Sequence, residues 1–251
     1  MSYTRKYQPK KISEIAGQPR AARFIQATVD AVAEAGEPVA FVLSGSSGVG
    51  KTTAAWAIAR ALGCDLENDV LGGVHEIASG EQDGKAVKDM AATLRLRPFT
   101  GSGWRVAIVN EADAMTKQAE LVWLDVLENL PSKVAVVFTT NSVEHLSGRF
   151  LSRCHVVRFE SKGDESEKAV AALVRKVLKA EKVKAPADLS TFGREGGRIN
   201  YRLAMQQAFR FAATGEVPEP VTIPTSVYGD GELTAAQKAW ETRRAREAAA
   251  G

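Results

Sequence analysis

The sequence predicts an α/β fold: a parallel sheet covered by helices, followed by a small all-helical unit. Three observations carry this. Short β-rich runs alternate with longer helical stretches from residue 39 onward, the pattern of a sheet whose crossovers are helices. A glycine-rich phosphate-loop pattern stands between the first such run and the first helix, as that motif requires. After "SKGDESEK" the strand-like runs stop, and Val170, Leu173, Val174, Val177 and Leu178 recur at helical spacing.

The strand candidates are, in order, "VAFVLS", "GVHEIAS", "WRVAIVN", "KVAVVFTT" and "CHVVRF". The helices between them are "TTAAWAIARALG", the segment around Val87 to Leu96, and "KQAELVWLDVLENL", each long enough to return the chain to the same edge of the sheet. This gives a nucleotide-binding domain over 1–160. A helical unit covers 161–215, with "EGGRINYRLAMQQAFRFA" as its last helix. Three prolines, Pro218, Pro220 and Pro224, mark a linker opening the segment 216–251, which ends in an Ala-rich basic helix over Leu233 to Ala248.

With 251 residues, 45% apolar and 25% charged, the chain has enough material for one full core and an accessory unit. No run of about 18 apolar residues occurs and the amino terminus is basic and polar, so no membrane span or secretory signal is expected and the expected location is cytoplasmic. Cys64 and Cys154 have no paired spacing and read as core thiols. His75, His145 and His155 have no ligand spacing. Trp56, Trp104 and Trp123 fall on predicted core elements and are expected to pack. The net charge of +3 proves no nucleic-acid partner, but its distribution is uneven. Six Lys or Arg residues and one acid, Glu14, lie between Arg5 and Arg23, and a second basic cluster runs from Lys85 to Arg105.

"LSGSSGVGKTTAAWAIA" holds the spacing GxxxxGK[ST], from Gly45 through Ser46, Ser47, Gly48, Val49, Gly50 and Lys51 to Thr52, with Thr53 following. Its glycines let backbone amides curl round phosphates. Lys51 reaches the outer two, and the Thr52 hydroxyl is the candidate magnesium ligand. ATP and Mg2+ are the cofactors this predicts. An ATPase strand should then end in a magnesium-directing Asp and a water-activating Glu. "RVAIVNEADAM" instead ends in Asn110 and Glu111. Further on, "VVFTTN" ends in Asn141, a polar residue at a strand tip beside the phosphate loop and able to orient the attacking water, and "GRFLSRC" places Arg153 before another strand, exposed on the same edge, from which it could reach a neighbour's nucleotide.

At this point the chain resembles the AAA+ clamp loaders of DNA replication, of the replication factor C and T-even phage type. Five segments carry the resemblance across about residues 5 to 155: "KYQPKKISEIAGQ", the phosphate loop, "VHEIASGEQDGKAVKDM", "VNEAD" and "LSRC". The resemblance implies an adenine pocket near Ile15, Gly17 and Gln18, a sensor at Asn141, and Arg153 acting in trans as an arginine finger. It also implies that the helix carrying Lys85 and Lys88 faces primer-template DNA, that a sliding clamp is a partner, and that other AAA+ subunits complete a ring or spiral.

Departures from that pattern set further expectations. Gln8 stands where the amino-terminal box has arginine, and Asn110 where the strand should end in aspartate. Asn200 occupies the place of a lid arginine, leaving Arg198 and Arg202 as substitutes. Only 36 residues follow Gly215, which suggests that the family's helical collar is missing or replaced, with Trp240 the anchor by which the final helix would dock on a neighbour. An Asn carbonyl still accepts a hydrogen bond from a magnesium-bound water but lacks the charge that strengthens it. Since Glu111, Lys51, Thr52, Asn141 and Arg153 are present, slow hydrolysis is expected. A hexameric DNA translocase or branch-migration motor, and a nucleotide-binding scaffold without turnover, are the rival readings.

Overall fold

The computed structural model describes residues 6–67 and 73–221. The predicted carboxy-terminal helix and Trp240 lie outside the described residues. Five strands, β1 (Val39–Ser44), β2 (Val74–Ile77), β3 (Arg105–Val109), β4 (Val134–Thr140) and β5 (His155–Arg158), form one all-parallel sheet in the order β2-β3-β4-β1-β5. The expected strands are all present.

The near-continuous apolar character of the central strands β1, β3 and β4 follows from burial on both faces, while the edge strands β2 and β5 carry exposed residues. Side chains alternate across a strand, and β3 shows it: Val106 and Ile108 join one apolar cluster while Ala107 and Val109 join the other. The first cluster lies under α1 (Pro19–Ala35) and α2 (Lys51–Ala61). The second is closed by α3 (Gly84–Leu94), α4 (Lys117–Glu128) and the short α5 (Gly148–Leu151). There Trp123 meets Phe138 edge-on at 5.0 Å and Phe138 meets Phe150 at 4.8 Å. Trp104 and Trp123 are buried, whereas Trp56 only packs against the margin of the first cluster.

Helix α1 is additional to the expected elements, although it carries its own signals: Pro19 at its first turn, Ala21, Ala22, Ile25 and Val29 on its buried face, and Gly36 closing it in the left-handed conformation at φ 68°. Beyond the sheet, α6 (Asp164–Ala180) buries Val170, Val174, Val177 and Leu178 against α7 (Tyr201–Thr214), with Leu173 only partly covered.

The expectation of helix from Glu195 onward is corrected. Arg194–Glu195 (β6) and Arg198–Ile199 (β7) pair antiparallel around Gly196 and Gly197, so the helical unit also contains a hairpin. Both turn glycines have positive φ, 53° and 75°, as a two-residue hairpin turn of this kind demands. No helix among the described residues is long and apolar enough to cross a membrane.

Candidate functional site

The phosphate loop leaves β1 at Ser44 and enters α2 at Lys51. Its tight path is set by Gly45, Gly48 and Gly50, with φ 148°, 77° and 101°. Val49 is buried and anchors the loop in the first core cluster, while Ser46, Ser47 and Thr53 are half-buried.

The Lys51 ammonium donates to Gly45 O at 2.6 Å, Ser46 O at 2.9 Å and Asn141 Oδ1 at 3.0 Å. Asn141, just past the tip of β4, is thus brought onto the loop. Burial pulls the Lys51 pKa down to about 8, and the nearby Arg202 charge adds to the fall, while Asp113 and Glu111 oppose it. Ser46 Oγ is buried and has no hydrogen-bond partner among the described residues. A curled loop with a buried lysine and an unpartnered hydroxyl is a cradle that fits the phosphates of a nucleotide.

Thr52 donates to Asn110 Oδ1 at 3.1 Å, which joins the loop to the end of β3. Thr139 also donates to that oxygen, at 3.4 Å, and accepts from the Glu111 backbone N–H at 3.2 Å. Glu111 itself has left-handed backbone angles, φ 52° and ψ 53°, a conformation that costs a non-glycine residue free energy and is concentrated at functional sites. Its carboxylate accepts from Ser79 on the turn after β2, and Gln82 on the same turn donates to the Asn110 carbonyl. Thr52, Asn110 and Glu111 are thus linked through Thr139, next in the chain to the Lys51–Asn141 contact, and the oxygen set fits a hydrated magnesium ion.

Several members of this group carried no sequence signal. Asp113 accepts from Thr140 Oγ1 at 3.0 Å and from the Asn141 N–H at 3.3 Å, holding the end of β4. Ser79 holds Glu111, and Glu76 accepts from the Asn110 amide. Of the lid arginines, Arg202 is the one whose charge is felt at Lys51. Arg198 lies in β7, paired in register with Glu195. Asn200 caps α7, accepting from Leu203 N–H at 3.0 Å and donating to Glu195 at 2.8 Å.

The helical unit rests on the loop itself. The Tyr201 N–H donates to Gly48 O at 3.0 Å, and a Cβ placed on Gly48 would collide with Asn200 Oδ1. Gly17 is equally tight, since a Cβ there would overlap the Tyr201 hydroxyl. Ile15 is buried and reaches Gly50. Gln18 is spent on the backbone of Glu160, donating to its carbonyl at 2.6 Å and accepting from its N–H at 2.8 Å. Its amide thus ties the amino-terminal segment to the sheet–lid junction.

Arg153 lies elsewhere than the sequence suggested. His155 is level with Phe41, so Arg153 is at the amino-terminal ends of the strands, on the order of 15 Å from the phosphate loop at a rise of about 3.3 Å per residue. The expectation that it shares an edge with the loop is corrected; the parallel direction of β5 forbids it. Arg153 donates to Arg149 O at 2.7 Å and pairs with Glu128.

Lys85 and Lys88 are exposed on the first turns of α3. The Asp83 carboxylate caps this helix, accepting from Ala86 N–H at 2.7 Å, so one terminal amide is already used and the two ammonium groups remain. Cys64 is buried and Cys154 partly so, and burial pushes both thiols up to about 12. Among the described residues no His, Cys, Asp and Glu cluster has the arrangement of a protein metal centre.

Comparison with known proteins gives this geometry a setting. Residues 72–163 match the family described as DNA polymerase III, delta subunit. The replication factor C small subunit of Halobacterium salinarum is 28% identical over 181 residues, 71% of this chain and 53% of that protein. Replication factor C subunit 3 of Blastobotrys adeninivorans is 30% identical over 162 residues, 63% of this chain and 46% of that protein. The chain thus spans about half the length of these curated relatives. The Thermotoga maritima RuvB Holliday junction branch migration motor superposes with a TM-score of 0.64 at 21% identity, covering 88% of this chain and 70% of that one. At that identity the likeness is one of fold. The chain has the AAA+ P-loop fold, and in sequence it is similar to the replication factor C type of clamp loader.

Proposed function

We propose that the chain is an ATP-hydrolysing clamp-loader subunit that helps to open a sliding clamp and place it on primer-template DNA. The observation that carries this reading is that two consecutive phosphate-loop residues each bond a strand end, Lys51 to Asn141 and Thr52 to Asn110, with Thr139 linking Asn110 to Glu111, on a chain similar to replication factor C.

In this reading the loop amides and Lys51 hold the phosphates, and bound magnesium supplies Lewis-acid charge stabilisation. Thr52 and Asn110 orient on the metal side. Glu111 takes the proton of the attacking water, which Asn141 positions. Turnover is slow because Asn110 carries no charge. Arg153, too far from its own loop, acts on the nucleotide of the adjoining subunit, where it stabilises charge only once the subunits have docked. Ile15 and Gly17 border the base pocket, and Arg202, in preference to Arg198, serves the lid side of the phosphates.

Lys85 and Lys88 face DNA, and the turn that leads into their helix is the one whose Ser79 holds Glu111. Just beyond the far end of the same helix Leu96 and Phe99 are 67% and 85% exposed. These apolar side chains are the natural place for a protein partner such as the clamp. A replication role puts the protein in the cytoplasm.

The test is the ATPase rate with and without primed DNA and the cognate clamp, together with mass in solution. Stimulation by both ligands in an oligomer supports the reading. Clamp-independent, processive strand displacement would favour the translocase, and nucleotide binding without turnover would favour the scaffold.

A further inference from the structure

The Asn110 side chain is polarised by its neighbours. Its Oδ1 receives the hydroxyls of Thr52 at 3.1 Å and Thr139 at 3.4 Å, while its amide nitrogen donates to the carboxylate of Glu76. Glu76 is on the edge strand β2 and pairs in register with Ile108. Asn110 follows two residues later, so both side chains emerge on the same face of the sheet. A flipped amide would turn its carbonyl toward a carboxylate and its N–H groups toward two hydroxyl donors. Glu76 therefore fixes which end of Asn110 faces Thr52.

We propose that Glu76 is the positioning residue of the magnesium site and supplies, one strand over, the negative charge that Asn110 lacks. The carbonyl of Asn110 and the carboxylate of Glu76 divide between them the two properties of an aspartate at this strand end: directed acceptor and charge. Glu76 acts through Asn110 and the water shell of the ion, because the Asn110 side chain stands between it and Thr52. Its exposure to solvent makes the electrostatic part moderate and leaves the fold insensitive to its replacement. This inference rests on the nucleotide-binding reading above.

The test uses Mn2+ as the probe, titrated by electron paramagnetic resonance into the full chain saturated with a non-hydrolysable ATP analogue. Nucleotide affinity in EDTA is measured in parallel. Glu76→Gln, which keeps an acceptor for the amide but loses the charge, should weaken Mn2+ about tenfold, and Glu76→Ala at least as much, with EDTA affinity unchanged in both. Asn110→Asp alone should tighten Mn2+ little, because the introduced carboxylate would face that of Glu76 at hydrogen-bond distance. Asn110→Asp combined with Glu76→Gln should tighten it clearly more. Wild-type Mn2+ affinity in Glu76→Gln, or equal gains from the single and the double change, would overturn the proposal. Absence of nucleotide binding by the wild type in both EDTA and metal would instead remove the underlying nucleotide site.

Discussion

Lys51 offers a prediction that depends on the tertiary environment of one ammonium group. Its pKa is drawn down to about 8, mainly by burial and then by Arg202, whereas phosphate binding requires the charged form. Below pH 8 the lysine is already protonated and nucleotide affinity should be flat. Above it, each bound nucleotide must recruit a proton, so affinity falls by up to about tenfold per pH unit, and by about tenfold in all between pH 7 and pH 9. Cys64 and Cys154 are pushed up to about 12, burial holds the His75 pKa low, and burial raises that of Tyr201. Isothermal titration with ADP in two buffers of different ionisation heat measures both quantities at once. Proton uptake should be close to zero at pH 7 and approach about one per site at pH 9. Lys51→Met, of similar length and apolar, should bind weakly at both. The same shift acts on folding with a definite sign. Between pH 8 and 10.5 the unfolded chain holds a proton that the folded one has released, so the nucleotide-free protein should gain stability from this group as pH rises through that window. Equal affinity at pH 7 and 9 without proton uptake would refute the buried-lysine argument.

Three further outcomes are expected. Glu111→Gln should leave nucleotide affinity within about twofold of wild type and lower turnover by at least about a hundredfold, since it removes the base and keeps the shape; equal rates by a phosphate-release assay would exclude Glu111 as the base. Lys85 and Lys88 changed together to Ala should weaken binding to primed DNA and lower the slope of log affinity against log salt by about one to two contacts, and a slope identical to wild type would take α3 out of the DNA path. Arg153→Ala should spare nucleotide binding and reduce ATPase only in the assembled state; the same loss in a dilute monomer, checked by light scattering, would contradict its distance from its own phosphate loop.

What the sequence determined by itself is local. A glycine-rich turn between an apolar run and a helix has one reading because the required conformations belong to glycine, and Gly45, Gly48 and Gly50 adopt them. The three central strands, β1, β3 and β4, were legible because burial on both faces forces nearly unbroken apolar runs, and Asn110 and Asn141 could be placed because each terminates such a run. Helix α1 was equally local, and its proline start and glycine end were there to be read. The tertiary structure decided whatever depends on neighbours distant in sequence. The pairing of β2 with β3 brings Glu76 to Asn110, the turn after β2 brings Ser79 to Glu111, and the placing of α7 lets the Arg202 charge act on Lys51. The direction of β5 beside β1 puts Arg153 at the opposite end of the strands from the loop. Hydrogen bonds and Coulomb interactions act over a few ångströms in space, and strand order and direction, which no single segment encodes, settle which side chains come that close.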